Sequence, residues 1–388
     1  MAKAFLNPGR EKRVYRGHPW VFRSDINRVE GKFTPGDVVD VVNSRGKFLG
    51  RAMYNPASQI SLRMFTTRDE AVDEAFIRQR VRRAIDYRRR FADLQSCRVL
   101  FAESDGLPAL VADCFGEVIV IQSLALGMER WKDAVVDALV EELRPRGVWE
   151  RSDVKVRELE GMEQTQGLLR GEVPDRVEIL ENGIRFLVDV KQGQKTGYFL
   201  DQKENRAAIA PFVKGGRVLD CFTHTGAFAL HAAHYGAAEV TAVDISELAC
   251  RQAADNAALN DLTIAFEEAN AFDLLRAKYD AKERYDAIIL DPPAFTKTRA
   301  AVPAALRGYK EINLRAMKLL REGGYLITCS CSHHVLPDAF ADMLVSAAAD
   351  AKVQLRQIEA RTQGRDHPIL SASPETQYLK CHILQVLR

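Results

Sequence analysis

From residue 191 onward the chain alternates short, almost wholly apolar runs with longer stretches of helical period. RVLDCF precedes GAFALHAAHYGA, EVTAVDI precedes SELACRQAADNAALN, and TIAFEE precedes AFDLLRAKYD. DAIILDPP and GYLITCSCS are each followed in the same way by a helix-length segment. Strands that are apolar on both faces and separated by helices must be covered on both sides, which predicts a doubly wound, mostly parallel α/β sheet. The last two runs, VQLRQIEA and QYLKCHILQVL, have no helix between them and predict an antiparallel pair at the end.

The first half follows a different pattern. Residues 1–70 hold short alternating runs (Val39, Val41; Ile60, Leu62, Met64) broken by Gly, Asn-Ser and Asn-Pro turn signals, the spacing of a small barrel. Residues 71–96 read as a linker helix, with Ile77, Val81, Ala84, Ile85 and Phe91 on one stripe and Arg78, Arg82, Arg83, Arg89 and Arg90 largely off it. Residues 97–190 read as strand, strand, helix, strands, a small α/β domain, with the sheet described above filling 191–388. Residues 1–95 carry 20 Lys and Arg against 11 Asp and Glu, a net +9, while the rest of the chain is net −7. That asymmetry fits a basic module facing a polyanion as well as it fits a solvated basic surface.

No apolar run reaches the roughly 18 residues of a membrane span, and MAKAFLNPGREKR lacks a secretory h-region, so a cytoplasmic protein with no membrane partner is expected. Seven cysteines without a C-x-x-C fit a reduced, mostly buried set.

Ligands of such sheets bind beyond the carboxyl ends of the strands. There the sequence places Asp220, Asp244, Asp291-Pro292 and Cys331. A lone acid at a strand end is usually a turn or cap residue. Four chemically apt tips on one edge point to a site. Asp244 lies at the distance from the first turn that suits a ribose-binding acid, so a nucleoside cofactor is expected, with Ile245 beside it. The first turn, DCFTHTGAF, puts Phe222 and Thr223 where a pyrophosphate would need glycines, with Thr225 and Gly226 closing the turn. S-adenosylmethionine has no phosphates and carries cationic groups that Asp220 can take. The two prolines after Asp291 fix that carboxylate and suit a planar base as substrate. Ala294 before Phe295 breaks the usual D-P-P-aromatic pattern.

ITCSCSHH (327–334) could be a metal site, a disulfide or a reactive thiol. Residues i and i+2 of a strand make a poor disulfide, and C-x-C followed at once by His-His lacks zinc spacing, so no metal is expected. Cys331 then stands at the crevice as a nucleophile able to add to C6 of a pyrimidine and activate C5, while Cys329 lies deeper. Transfer to an exocyclic amine would need no cysteine, and a non-catalytic RNA-binding or ribosome-assembly protein with a vestigial pocket is the third reading.

GREK with HPWVF, YNPASQI, ESDGLP, RSDVKVR, EGME with TQG, KTGYFLDQ, the C-F-x-x-T-G-x-F turn, DPPAF, RGYKEIN and SCS run in order through the whole chain. This set resembles the bacterial ribosomal RNA large-subunit methyltransferase I family, which forms 5-methylcytosine in 23S ribosomal RNA with S-adenosylmethionine. The resemblance implies an RNA-binding PUA domain at 1–70, a small α/β insert at 97–190, and a class I methyltransferase domain with a seven-stranded, mostly parallel sheet at 191–388. It implies Cys331 as nucleophile with Asp291 beside it. For the cofactor it implies Tyr198, Phe199, Asp201 and Gln202 besides Asp220, Phe222, Thr225, Gly226, Asp244, Ile245, Asp291 and Pro292. Asn270 stands where an acid is expected and offers only its amide oxygen to the adenine amine. Large-subunit ribosomal RNA is the implied partner. Assembly is left open by the sequence, a homodimer among the options.

Overall fold

A computed structural model describes all 388 residues. The chain packs as two compact units: Met1–Ile179 with Val188–Leu200 and Arg365–Thr376, and Leu180–Leu187 with Asp201–Gly364 and Gln377–Arg388. The boundary read near residue 190 therefore has no single counterpart. A short hairpin and a late loop pack with partners distant in sequence, and local periodicity carries no signal for that.

In the first unit a six-stranded sheet runs in the order Trp20–Val21, Leu62–Thr66, Phe48–Tyr54, Val38–Val42, Lys3–Leu6, Ile26–Glu30. Its one parallel pair joins Lys3–Phe5 to Asp40–Val42. Alternation buries Val39, Val41, Leu62 and Met64 on one side, as the period-2 pattern requires. The helix Glu74–Phe91 starts at Asp73, whose carboxylate accepts from Phe76 N at 2.9 Å. Its stripe of Ile77, Val81, Ala84 and Ile85 is buried with Val99 and Leu100 of a five-stranded sheet spanning 96–171. Burying each large aliphatic side chain there contributes about 1.5–3 kcal/mol. Phe91, expected on that stripe, is 48% exposed and leans on Tyr87, because the helix ends beside it. Arg88 is fully buried instead. Its guanidinium donates to Asp105 at 2.6 Å and to the carbonyls of Arg98 and Asp366.

The second unit is built on seven strands: β1 (Arg217–Cys221), β2 (Glu239–Asp244), β3 (Ala265–Glu268), β4 (Tyr285–Leu290), β5 (Leu320–Ser330), β6 (Gln354–Arg361) and β7 (Lys380–Leu387). Their order is β3-β2-β1-β4-β5-β7-β6, with β7 antiparallel to both neighbours and every other pair parallel. The final two strands do pair antiparallel, but β7 inserts between β5 and β6 instead of extending the edge. The connecting helices are α1 (Ala227–His234), α2 (Glu247–Leu259), α3 (Ala271–Asp280), α4 (Val302–Leu319) and α5 (Pro337–Ala351). Ser246 caps α2 through Ala249 N, and prolines start α4 and α5, where a missing N–H costs nothing.

Adjacent strand residues point to opposite faces, and both faces are covered. Leu219, Ile288 and Leu326 are buried with Ile312, Met317 and Phe340 from α4 and α5. Val218, Ile289 and Ile327 are buried with Phe228 of α1 and with Ile209 and Val213. This two-sided burial is why the strands read as continuous apolar runs. Strand order reverses between β1 and β4, so the connections leave those two strands in opposite directions and open a crevice at their carboxyl ends.

Candidate active site

The crevice is lined first by the turn after β1. Asp220 is completely buried, and its Oδ2 accepts from the Thr223 hydroxyl at 2.6 Å and from Ala229 N at 3.0 Å. Its Oδ1 is buried with no hydrogen-bond partner. Burial raises this carboxyl to a pKa of about 7, and the nearby Asp291 and Asp244 carboxylates push in the same direction. A buried acceptor with an idle oxygen, in the field of two further acids, fits a cationic ligand group.

The turn itself is strained. Phe222 and His224 hold φ of 66° and 51°, in the left-handed region where a side chain costs about 1 kcal/mol. Gly226 has φ +81°, and a Cβ there would meet Leu230 Cδ1 at 2.7 Å and Ala253 Cβ at 2.9 Å. Only glycine lets α1 begin this close to α2. Thr225 is buried, and its carbonyl accepts from Asn256 Nδ2 at 3.0 Å, which ties the turn to α2.

Asp244 ends β2. Its Oδ2 accepts from His224 N at 2.9 Å and its Oδ1 from Ser246 N at 3.0 Å. The carboxylate is thereby oriented by backbone donors on both sides. Ile245 beside it is 68% exposed, an apolar surface next to an acid at a strand tip. That pairing suits a nucleoside, with hydroxyls for the acid and a flat face for the aliphatic side chain. Asn270 is also exposed. Its amide oxygen accepts from Phe272 N at 2.9 Å, so the side chain assigned to adenine caps α3.

Asp291 and Pro292 follow β4. Gln202 donates to Asp291 Oδ1 at 3.0 Å, and its own amide oxygen accepts from Asn205 Nδ2 at 2.6 Å. Gln202 is thus placed to hold Asp291. Asp201 is buried, its Oδ2 accepting from the Tyr378 hydroxyl at 2.6 Å. Tyr198 and Phe199 belong to the first unit, where Lys195 Nζ lies 4.7 Å from the centre of the Phe199 ring. Phe295 is packed by Phe222, Phe272 and, at 4.5 Å between ring centres, Tyr309.

The two strand cysteines differ sharply. Cys329 is fully buried, in register with Cys381 of β7, and burial raises its thiol well above the ordinary value. Cys331, past the end of β5, is half-buried, and its Sγ lies 3.9 Å from the carbonyl of Pro292, a long thiol contact. Ser332 next to it is buried and hydrogen-bonds the Tyr309 hydroxyl at 2.8 Å. His333 and His334 lie in the turn after the strand, and no cluster of His, Cys, Asp and Glu here could hold a metal.

One polar group at this tip carries no motif in the sequence. Lys380 opens β7 opposite Ser330, is 4% exposed, and donates from Nζ to the carbonyls of Ser332 at 2.7 Å and Tyr378 at 2.8 Å. Burial lowers its pKa to about 8, and the charge of Cys331 opposes that shift. The only sequence signal was a lysine leading an otherwise apolar strand.

Comparison with known proteins agrees with this layout. Residues 5–67 match the family described as PUA-like domain, and residues 138–371 match the S-adenosylmethionine-dependent methyltransferase family. Proteins named ribosomal RNA large subunit methyltransferase I are 45% identical in Shewanella denitrificans, over 98% of both chains, and 41% identical in Pseudoalteromonas atlantica, over the full length of both. A Streptococcus mutans protein described as a SAM-dependent methyltransferase superposes over the whole of both chains with a TM-score of 0.84 at 21% identity. A methyltransferase structure complexed with SAH gives 0.86, also at 21% identity and over the whole of both chains. These two likenesses speak to the fold. S-adenosylmethionine is the cofactor, and the idle Asp220 oxygen, the oriented Asp244 and the exposed Ile245 are suited to hold it.

Proposed function

The chain belongs to the ribosomal RNA large subunit methyltransferase I family of S-adenosylmethionine-dependent methyltransferases, and from that premise we propose that it methylates C5 of a cytosine in large-subunit ribosomal RNA through a transient bond to Cys331. The observation that carries the proposal is the half-buried Cys331 thiol beside Pro292, at the strand tip next to Asp291, with Cys329 sealed two residues behind it.

C5 of cytosine is too weak a nucleophile to be methylated directly. Addition of the Cys331 thiolate to C6 forms a C–S bond and moves the electron pair of the C5–C6 double bond onto C5. Bound S-adenosylmethionine supplies an electrophilic methyl group. After methylation a base removes the C5 proton, the double bond re-forms, and the C6–S bond breaks to return the thiolate. Asp291, held by Gln202, orients the edge of the base. Asp220 and Asp244 serve the cationic end and the ribose hydroxyls of the cofactor. Lys380 fixes the Ser332 carbonyl, and so the tip that carries Cys331, while its ammonium favours the thiolate. The basic N-terminal region supplies salt-dependent affinity for phosphates.

The test is nucleoside mass spectrometry of ribosomal RNA from a strain lacking its own copy of the gene, complemented with wild type or Cys331→Ser. Wild type should restore 5-methylcytosine, and the serine variant should not. A methyl group on an exocyclic amine that survives Cys331→Ser would replace this reading with amine transfer. Failure to bind S-adenosylmethionine in calorimetry would leave an RNA-binding protein without catalysis.

A further inference from the structure

The arginines of helix Glu74–Phe91 are not equivalent. Arg78 pairs with Glu74, Asp137 and Glu141; Arg82 with Glu141 and Glu142; Arg89 with Asp86 and Glu142. Arg88 is buried against Asp105. Most of the basic face read from the sequence is therefore already neutralised within the first unit. Arg80 and Arg83 have no carboxylate partner, and both line a largely polar cleft of about 340 Å³ in the first unit, together with Arg68, Gln79, Thr67 and His18.

The cleft holds arginine charge that the protein compensates only in part. Arg80 is wedged in place: its guanidinium lies over the Phe76 ring at 4.8 Å, and a Cβ on Gly106 would come within 3.0 Å of its Nη1. Its only hydrogen bond is a long one, Nη2 to the Phe65 carbonyl at 3.4 Å, and its Nε is buried with no partner at all. Burial opposes its charge most, Arg83 and Arg68 within electrostatic range oppose it further, and Glu70 favours it. Of the two acids in the wall, Glu103 is taken by Arg63 and the Trp20 indole N–H, leaving only Glu70 against three arginines. Burial and the neighbouring Arg13 lower the pKa of His18, against the opposing pull of Glu375. Planar guanidinium groups with free donors, partly desolvated and mutually repelling, are a receptor for a doubly accepting anion.

We propose that this cleft binds a backbone phosphate of the RNA substrate through Arg80, with Arg68 and Arg83 each taking a neighbouring phosphate. The proposal rests on the ribosomal RNA reading above and adds a location to it: a defined anion pocket, in place of a diffuse basic face.

Affinity for a large-subunit ribosomal RNA transcript, measured across a salt series, tests it with a matched pair of variants. Arg68→Ala/Arg83→Ala removes two charges of the cleft. Arg82→Ala/Arg89→Ala removes two from the same region that are already paired. The change in net charge is identical. Each phosphate that the protein no longer neutralises lowers the slope of log K against log salt by roughly 0.7–0.9. The first variant should lose roughly 1.5 in slope and roughly tenfold or more in affinity at moderate salt, and the second well under half of that. S-adenosylhomocysteine binding, unchanged in both, checks the fold. Equal slopes for the two variants, or no change in the first while wild type binds, would overturn the cleft and leave the methyltransferase reading standing. A wild-type protein that binds no transcript would overturn both. Millimolar inorganic phosphate at constant ionic strength separates the sources. Thermal stabilisation of wild type that the first variant lacks supports the anion pocket, whereas such stabilisation together with equal transcript slopes for the two variants would assign the cleft to free phosphate and overturn the RNA assignment.

Discussion

Replacing Lys380 with methionine separates a structural lysine from one that acts on Cys331. The side chain is 4% exposed and bonded to two carbonyls, Ser332 and Tyr378. Its pKa falls from 10.5 to about 8, chiefly through burial, so keeping it charged at pH 7 costs the fold about 3 kcal/mol. Between pH 8 and 10.5 the unfolded chain binds the proton and the folded chain releases it, so wild-type stability rises with pH across that window. Methionine removes the charge penalty, yet leaves two carbonyls without a donor at about 1–3 kcal/mol each. Terms of similar size and opposite sign leave the melting temperature at pH 7 nearly unchanged, while the rise above pH 8 disappears. Activity should behave differently. A neighbouring cation favours an ionised partner by roughly 1–3 pH units, so the acid limb of kcat/KM should move up by at least roughly one unit, with a loss of roughly tenfold or more at pH 7. The assay is methyl transfer to unmodified ribosomal RNA across pH 6–10 beside thermal melts in the same buffers. Full activity with an unmoved acid limb would refute the role given to Lys380. So would a uniform loss at every pH, which would mark the lysine as a strut only.

Three further outcomes follow from the same geometry. Asp220→Asn can keep the bonds to Thr223 and Ala229 while placing an amide where the idle oxygen lies. Because the folded carboxyl titrates near 7 and the unfolded one near 3.8, wild-type stability without cofactor falls as pH rises through that window; the asparagine variant should melt higher at pH 8 and yet bind S-adenosylhomocysteine roughly 10–100-fold more weakly, and a lower melting point or unchanged affinity would contradict this. Cys329→Ala should retain methyl transfer, since that thiol is sealed in the sheet, and abolished turnover in a folded variant would shift the nucleophile away from Cys331. Arg88→Met leaves Asp105 without its buried partner and should cost about 3–5 kcal/mol in denaturant unfolding, whereas a loss under 1 kcal/mol would show that Asp105 finds water or another donor.

The α/β architecture was legible because two-sided burial writes itself into each strand separately: RVLDCF and DAIILDPP are apolar whichever face one counts. The tips were legible for a related reason. Asp220, Asp244, Asp291 and Cys331 each sit where an apolar run stops, so their place at one edge follows from strand direction alone. The role of Gln202 was not legible, because a resemblance placed it against the cofactor and only coordinates show its amide on Asp291. Asn270 shows the opposite gap. The sequence assigned its side chain to adenine, but the Phe272 N–H that opens the next helix takes the same oxygen.

By itself, then, the sequence determined what is local: the period of each element, its caps, the polar residues at strand ends, and the basic excess of the N-terminal quarter. Tertiary structure decided what depends on strand order and on partners far along the chain. Lys380 reaches the Cys331 tip across 48 residues because β7 inserts beside β5. Which arginines of helix Glu74–Phe91 remain free was settled by glutamates some sixty positions away. Hydrophobic periodicity is encoded within one or two turns of chain, whereas the pairing of charges is a property of surfaces that exist only after the chain has packed.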